Sequence, residues 1–394
     1  MSAPETIDVA PATPSPGPTG IRRRFTELDG LRGAAALAVV LFHLRHSIEH
    51  LDPPAALQTL VDGGFLMVDL FFPLSGFVLA RTMLATRTAG DARRFSVLRA
   101  RRFLPLHLTA MTIVFACVTL TWILQQQGFE NTPKRPAFTG ESESTWAWVS
   151  SLLLLPKGFL GPQISGYPGE WSLSIELGVN VLLVAVIAAV AGLAPRRRSW
   201  VGPAALLFGT AVLLLADPAA GITVGWTAFG RGLAGLGTGM IVYWIFTATH
   251  RPGADGRPGH LIGIGATIAL AALLTAVYFS DEVQQLRLLP MLPICALLLF
   301  CLARTATTPV HRLLNTRLLQ WLGSRSFALY ALHGAVLAAV SLAVRLRGLA
   351  LEDGKVAMFV IVTTLIAALV AAEVGHRFIE RALTPKPSPA APAG

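Results

Sequence analysis

The sequence predicts an all-α, polytopic membrane protein with about ten transmembrane helices and both termini cytoplasmic. Three observations predict it. Charged residues make up only 14% of the 394, against 53% hydrophobic and a mean hydropathy of +0.60. A soluble domain carries about 25% charge, so this composition excludes one. Apolar runs near the length of a spanning helix, about 20 residues, recur along the chain. The segments between them alternate between basic and acidic, as cytoplasmic and external loops do. The formal net charge of +10 is explained by that basic face, so it gives no reason to expect nucleic acid as a partner.

The chain opens on a Pro/Ala/Thr-rich stretch without an apolar core, so residues 1–24 are expected to be a disordered tail, with no cleavable signal peptide. A membrane domain over 25–383 and a second Pro/Ala-rich tail over 384–394 complete the expected organisation. Spans are expected near 30–48, 60–82, 103–126, 171–193, 199–216, 224–247, 259–279, 286–304, 326–346 and 355–379. The segment 146–156, WAWVSSLLLLP, is too short to span and is expected to lie at the interface or to re-enter.

Loop charge tests the map. Segments assigned inside hold Arg22–Arg24, seven arginines between Arg81 and Arg102, Arg196–Arg198, Arg251, Arg257 and four between Arg304 and Arg325. Segments assigned outside hold Glu49, Asp52, Asp62, Glu130, Glu141, Glu143, Glu170, Asp217, Asp281, Glu282, Glu352 and Asp353, with few bases. The expected location is therefore the inner (plasma) membrane, multi-pass. Cys117, Cys295 and Cys301 sit in apolar runs without ligand spacing, so neither a disulfide framework nor a metal site is expected.

Ionisable residues inside such runs need a reason, because each costs about 2.5–3.5 kcal/mol at mid-bilayer on insertion scales. LDGLRGAAALAVVLFHL, residues 28–44, carries Arg32 and His43 eleven residues apart. At about 100° per residue the two share one helix face, separated by roughly 16 Å along the axis. The next span, GGFLMVDLFFPLSGFVLAR, embeds Asp69 and adds Ser75; Pro73 predicts a kink. SVLRARRFLPLHL places Arg99 and Arg102 on one face at the inner surface, where two guanidiniums can clamp phosphates. GEWSLSIEL puts Glu176 a little over one turn below Trp171, at a depth that could match His43. Arg231 falls mid-span among small residues, and Tyr330 and His333 stand at i, i+3 in SFALYALHG. A snorkelling arginine, a satisfied core histidine and ordinary inner-face arginines are the bland alternatives.

At these residues the chain resembles the acyltransferase-3 family of integral membrane acyltransferases, from about Phe25 to Glu380. The likeness rests on LDGLRGAAALAVVLFH with its Arg-x10-His spacing, MVDLFFPLSGFVL, RARRFLPLHL, EWSLSIEL, SFALYALHG and RFIERAL, in the family's order. Departures are Pro73 where valine or isoleucine is commoner, Ala382 where proline usually follows, and a missing aromatic pair after Glu176. A C-terminal hydrolase-like domain found in some members is not present in the sequence, which implies a stand-alone type.

The resemblance implies O-acyl transfer of a short group, usually acetyl, from cytoplasmic acyl-CoA to a hydroxyl of a glycan or glycosylated acceptor. Acyl-CoA is then a co-substrate, with no bound cofactor, and the lipid bilayer and a carbohydrate are the partners. His43 is the candidate general base, or a transiently acylated nucleophile; Glu176 and Asp69 are the candidate carboxylates to orient it. Arg32, Arg99, Arg102, Ser75, Trp171, Arg231, Tyr330 and His333 are the candidate substrate-binding groups. The competing reading is a non-enzymatic glycolipid or glycan transporter or flippase, which would use the same buried charges as a path.

Overall fold

A computed structural model describes residues 25–129, 144–162, 167, 169–191, 195–216, 221–249, 259–280, 288–304, 308–350 and 352–383. Both expected tails lie outside the described residues, as do the acidic residues 130–143 and the basic residues 250–258. The described residues form helices and no strand, as a bilayer requires of an open chain whose backbone must satisfy itself. In order these are α1 Thr26–His43, α2 Arg45–Glu49, α3 Ala55–Asp62, α4 Met67–Ala85, α5 Ala89–Gln126, α6 Thr145–Leu152, α7 Glu170–Ala191, α8 Val201–Leu215 and α9 Gly225–Thr249. They continue as α10 Gly259–Tyr278, α11 Met291–Leu302, α12 Pro309–Leu314, α13 Arg317–Leu346, α14 Gly354–Val374 and α15 Arg381–Leu383. A turn of 3-10 helix, Gly63–Leu66, joins α3 to α4, and a π-helical turn, Gly375–Glu380, extends α14.

Eight described helical segments are long and apolar enough to cross a membrane. Two more fall short for identifiable reasons. Glu27, Asp29 and Arg32 load α1 with charge, and α11 has only 12 residues. The ten expected spans thus correspond to eight helical segments that qualify among the described residues and these two that do not. The boundaries differ most at the third span, which the sequence predicts to start at 103. There α5 begins at Ala89, fixed by a capping box in which Thr88 and Asp91 satisfy each other's backbone N–H. The arginine-rich stretch is thus an extension of the spanning helix. The predicted kink at Pro73 does not interrupt α4, which is helical from Met67 to Ala85.

Glycines set the two crossings that matter for the site. A Cβ on Gly76 would stand 2.2 Å from the Leu236 carbonyl oxygen, and one on Gly239 would stand 2.0 Å from that of Pro73. Helices α4 and α9 therefore touch backbone to backbone, as small residues permit in membranes. A Cβ on Gly33 would meet the Gly323 nitrogen at 2.5 Å, and one on Gly323 the Asp29 oxygen at 2.1 Å, which binds α1 to α13 in the same way.

Candidate active site

The α1–α13 crossing fixes the register of the two helices. Ten residues beyond Gly33 comes His43, and ten beyond Gly323 comes His333. Because the helices climb together, each rises about 15 Å over that interval and the two imidazoles arrive at one level. Their rings stack with centroids 5.1 Å apart and an interplanar angle of 27°. His333 is buried, and its Nδ1 donates to the Tyr330 carbonyl at 2.7 Å. That bond leaves Nε2 as a bare acceptor, and it has no hydrogen-bond partner among the described residues. Among the described residues the His43 side chain makes no hydrogen bond to protein, so its nitrogens are available to a substrate.

At the arginine-rich end, α1, α4, α5, α7 and α13 enclose a cavity onto which Arg32, Arg99 and Arg102 face. Arg99 Nη2 donates to Glu176 Oε1 at 2.8 Å, and Ser75 Oγ donates to the same oxygen at 2.6 Å. Arg32 pairs with Asp29 one turn back, at 3.0 Å. Arg102 makes no ion pair among the described residues, so the cavity keeps surplus positive charge. Three guanidiniums at one opening form a site for an anion with several oxygens.

A second cavity holds His43, with Arg45, Phe65, Trp171 and Arg231 around it. The two cavities abut: Val68 and Tyr330 line both. Between them the Tyr330 hydroxyl is bonded to Ser172 Oγ. Ser172 already donates to the Gly169 carbonyl at 3.2 Å, so the phenol must supply the proton of the shared bond. About a turn and a half of α7 thus presents Trp171 to the His43 cavity and Ser172 and Glu176 to the arginine cavity.

These contacts correct the expectation that Glu176 or Asp69 orients the His43 ring. Glu176 lies five residues, about 7.5 Å of rise, from Trp171 toward the arginine end, where Arg99 and Ser75 hold it. Asp69 is taken up by Arg231, with Nε donating to Oδ1 at 2.9 Å and Nη2 to Oδ2 at 2.8 Å. The third guanidinium nitrogen donates to the Ile222 carbonyl at 2.7 Å, and the Trp171 ring lies 4.7 Å from the guanidinium carbon. A bidentate, buried pair of this kind satisfies both charges inside a low dielectric and locks α4 to α9. The group found against His43 is an imidazole.

A model of the family described as an acyltransferase domain, Acyl_transf_3, matches residues 25–373. The chain belongs to the acyltransferase-3 family. It is 25% identical over 368 residues to a putative peptidoglycan O-acetyltransferase of Bacillus subtilis, covering 90% of this chain and 54% of that protein. It is 21% identical over 378 residues to a peptidoglycan O-acetyltransferase of Listeria monocytogenes, covering 91% of this chain and 56% of that one. A putative membrane-bound transacylase of Komagataeibacter xylinus is 29% identical over 182 residues, 45% of this chain and 40% of that protein. The chain therefore spans about half the length of the full-coverage relatives. No solved structure matches it.

This acyltransferase-3 chain also carries a polar cluster that motif reading does not find. Lys157 and Glu170 form a fully buried ion pair at 2.8 Å. Lys157 Nζ also donates to Ser151 Oγ at 2.8 Å, His107 Nε2 donates to the Ser151 carbonyl at 2.7 Å, and Tyr167 donates to the Ala331 carbonyl at 3.0 Å. Burial lowers the Lys157 pKa while Glu170 opposes the shift. The cluster ties the segment after α6 to the first residue of α7, next to Trp171 and Ser172. The signal in the sequence was a lone lysine between Pro156 and Gly158 and a lone glutamate after Gly169, and Pro and Gly flanks look like any loop.

Proposed function

We propose that this protein is a membrane O-acyltransferase that moves a short acyl group, acetyl first among them, from acyl-CoA to a hydroxyl of a cell-surface carbohydrate. The observation that carries the reading is the abutment, on two shared residues, of a cavity lined by Arg32, Arg99 and Arg102 and a cavity that holds His43. The first suits the phosphates of a CoA thioester, with Arg102 unpaired and Arg99 and Arg32 beside it. The second suits an alcohol, since it is lined by an imidazole whose nitrogens have no protein partner. The names of the relatives from Bacillus and Listeria support peptidoglycan as the acceptor and acetyl as the group. Loop charge supports the arginine end as the cytoplasmic one, in the cytoplasmic membrane.

In this reading the acceptor oxygen attacks the thioester carbonyl carbon. An O–C bond forms as the C–S bond breaks. His43 takes the hydroxyl proton and returns it to the leaving thiolate, so an ester and free CoA thiol are the products and the imidazole ends neutral. His333, stacked on His43, holds the ring in place through its own bond to the Tyr330 carbonyl. Purified protein given acetyl-CoA and peptidoglycan fragments should release free thiol and yield O-acetylated sugar. A transporter would give neither, and that result would overturn the reading.

A further inference from the structure

We infer that Val68 and Tyr330 are the specificity-determining residues that set the size of the transferred acyl group. The inference rests on the acyltransferase reading above and extends it to the choice of donor. Of the whole donor, only the acyl carbonyl and what hangs from it must be reached from both sides. Its thioester belongs to the arm anchored among the arginines, and its carbonyl carbon must meet the oxygen held at His43. Val68 and Tyr330 are the residues common to both cavities, so the acyl group is in contact with them when it reacts.

Both residues are built to be rigid. Tyr330 is buried, tethered by its hydroxyl to Ser172, and packed edge-on against Phe71 at 5.6 Å between centroids. Ser172 is itself fixed by the Gly169 carbonyl. Val68 is 5% exposed and stands on α4, where a β-branched side chain keeps essentially one rotamer. That helix is pinned to α9 by the Asp69–Arg231 pair next in sequence and again by the Gly76 crossing two turns on. A rigid apolar wall distinguishes chains by about 10–200-fold per methylene, so it can select acetyl over its longer homologues.

The test is a competition in one reaction, with purified protein, a soluble glycan acceptor and equimolar acetyl-, propionyl- and butyryl-CoA. Product esters are then counted by mass spectrometry. Because the readout is a ratio, it does not depend on how much protein folds. Val68→Ala should raise the butyryl-to-acetyl ratio about tenfold or more, and Val68→Ile, which adds a methylene to the wall, should lower it. Ratios equal to wild type in both variants would overturn the inference while leaving the enzyme assignment standing. Loss of all transfer in folded Val68→Ala, where space is only added, would overturn it too. Failure of wild type to use any of the three donors would instead defeat the acyltransferase reading itself.

Discussion

His43 reaches its place on a helix of alanines, valines and leucines, and the group beside it is another imidazole rather than a carboxylate. The role as base proposed for it therefore depends on position more than on a charged partner. Replacing it with alanine should cut transfer by about 10²–10⁴-fold, the range of general acid–base catalysis, without changing elution or melting in detergent. Transfer near wild type would remove His43 from the chemistry. For the donor, Arg99→Ala combined with Arg102→Ala should weaken acyl-CoA binding by at least about tenfold, since each charge-assisted bond contributes about 1.5–3 kcal/mol. Lysine at both sites should restore part of it, because the planar fork is lost. Equal affinity in titration calorimetry would reduce these arginines to ordinary inner-face charges. Arg32 and His43 were legible in the sequence because one helix carries both, and helical spacing alone puts them on a face. The partners of Glu176 and Asp69 were not. Arg99 is 77 residues from Glu176, and Arg231 is 162 from Asp69, so only tertiary packing decides which arginine each receives.

Among the helices, α1 and α13 carry the site and α7 connects its two halves. The stack of His43 on His333 depends on the contact at Gly33 and Gly323, where a side chain has no room. Gly323→Val should push the helices apart, lower the melting temperature and reduce transfer, since overpacking costs about 1–3 kcal/mol before any loss of geometry. Unchanged melting and activity would show that the crossing is looser than drawn. The start of α7 is braced by Lys157 against Glu170. Lys157→Met takes the cation away from a buried carboxylate and should destabilise the protein by about 3–5 kcal/mol, while Lys157→Met with Glu170→Met should recover most of that loss. Thermal unfolding in detergent reads both, and equal stability of the single and double variants would refute the brace. The spans themselves were legible, because hydropathy needs no knowledge of neighbours. Their ends were less so. An arginine-rich stretch such as 89–102 has no apolar signal, and whether it continues a helix is settled by the cap at Thr88.

At the scale of the molecule, the arrangement is two cavities that abut on two shared residues. Arg32, Arg99 and Arg102 line one cavity, His43 with Arg45 and Arg231 lines the other, and Tyr330 and Val68 line both. The ordered motifs announced the family, and loop charge sets the direction that the account expects. Tyr330 was legible as a candidate binding group, but Val68 was silent in the sequence, because it looks like an ordinary core residue until packing brings two cavities against it. The central claim is that donor and acceptor enter from opposite faces and only the acyl group crosses. Sealed inverted vesicles test it, with acyl-CoA supplied in the bath, where the cytoplasmic face is exposed, and the glycan acceptor enclosed in the lumen. The account predicts that thiol is released in the bath while ester accumulates in the lumen. Ester formation only when the acceptor shares the bath with acyl-CoA would place both substrates on one face and contradict it.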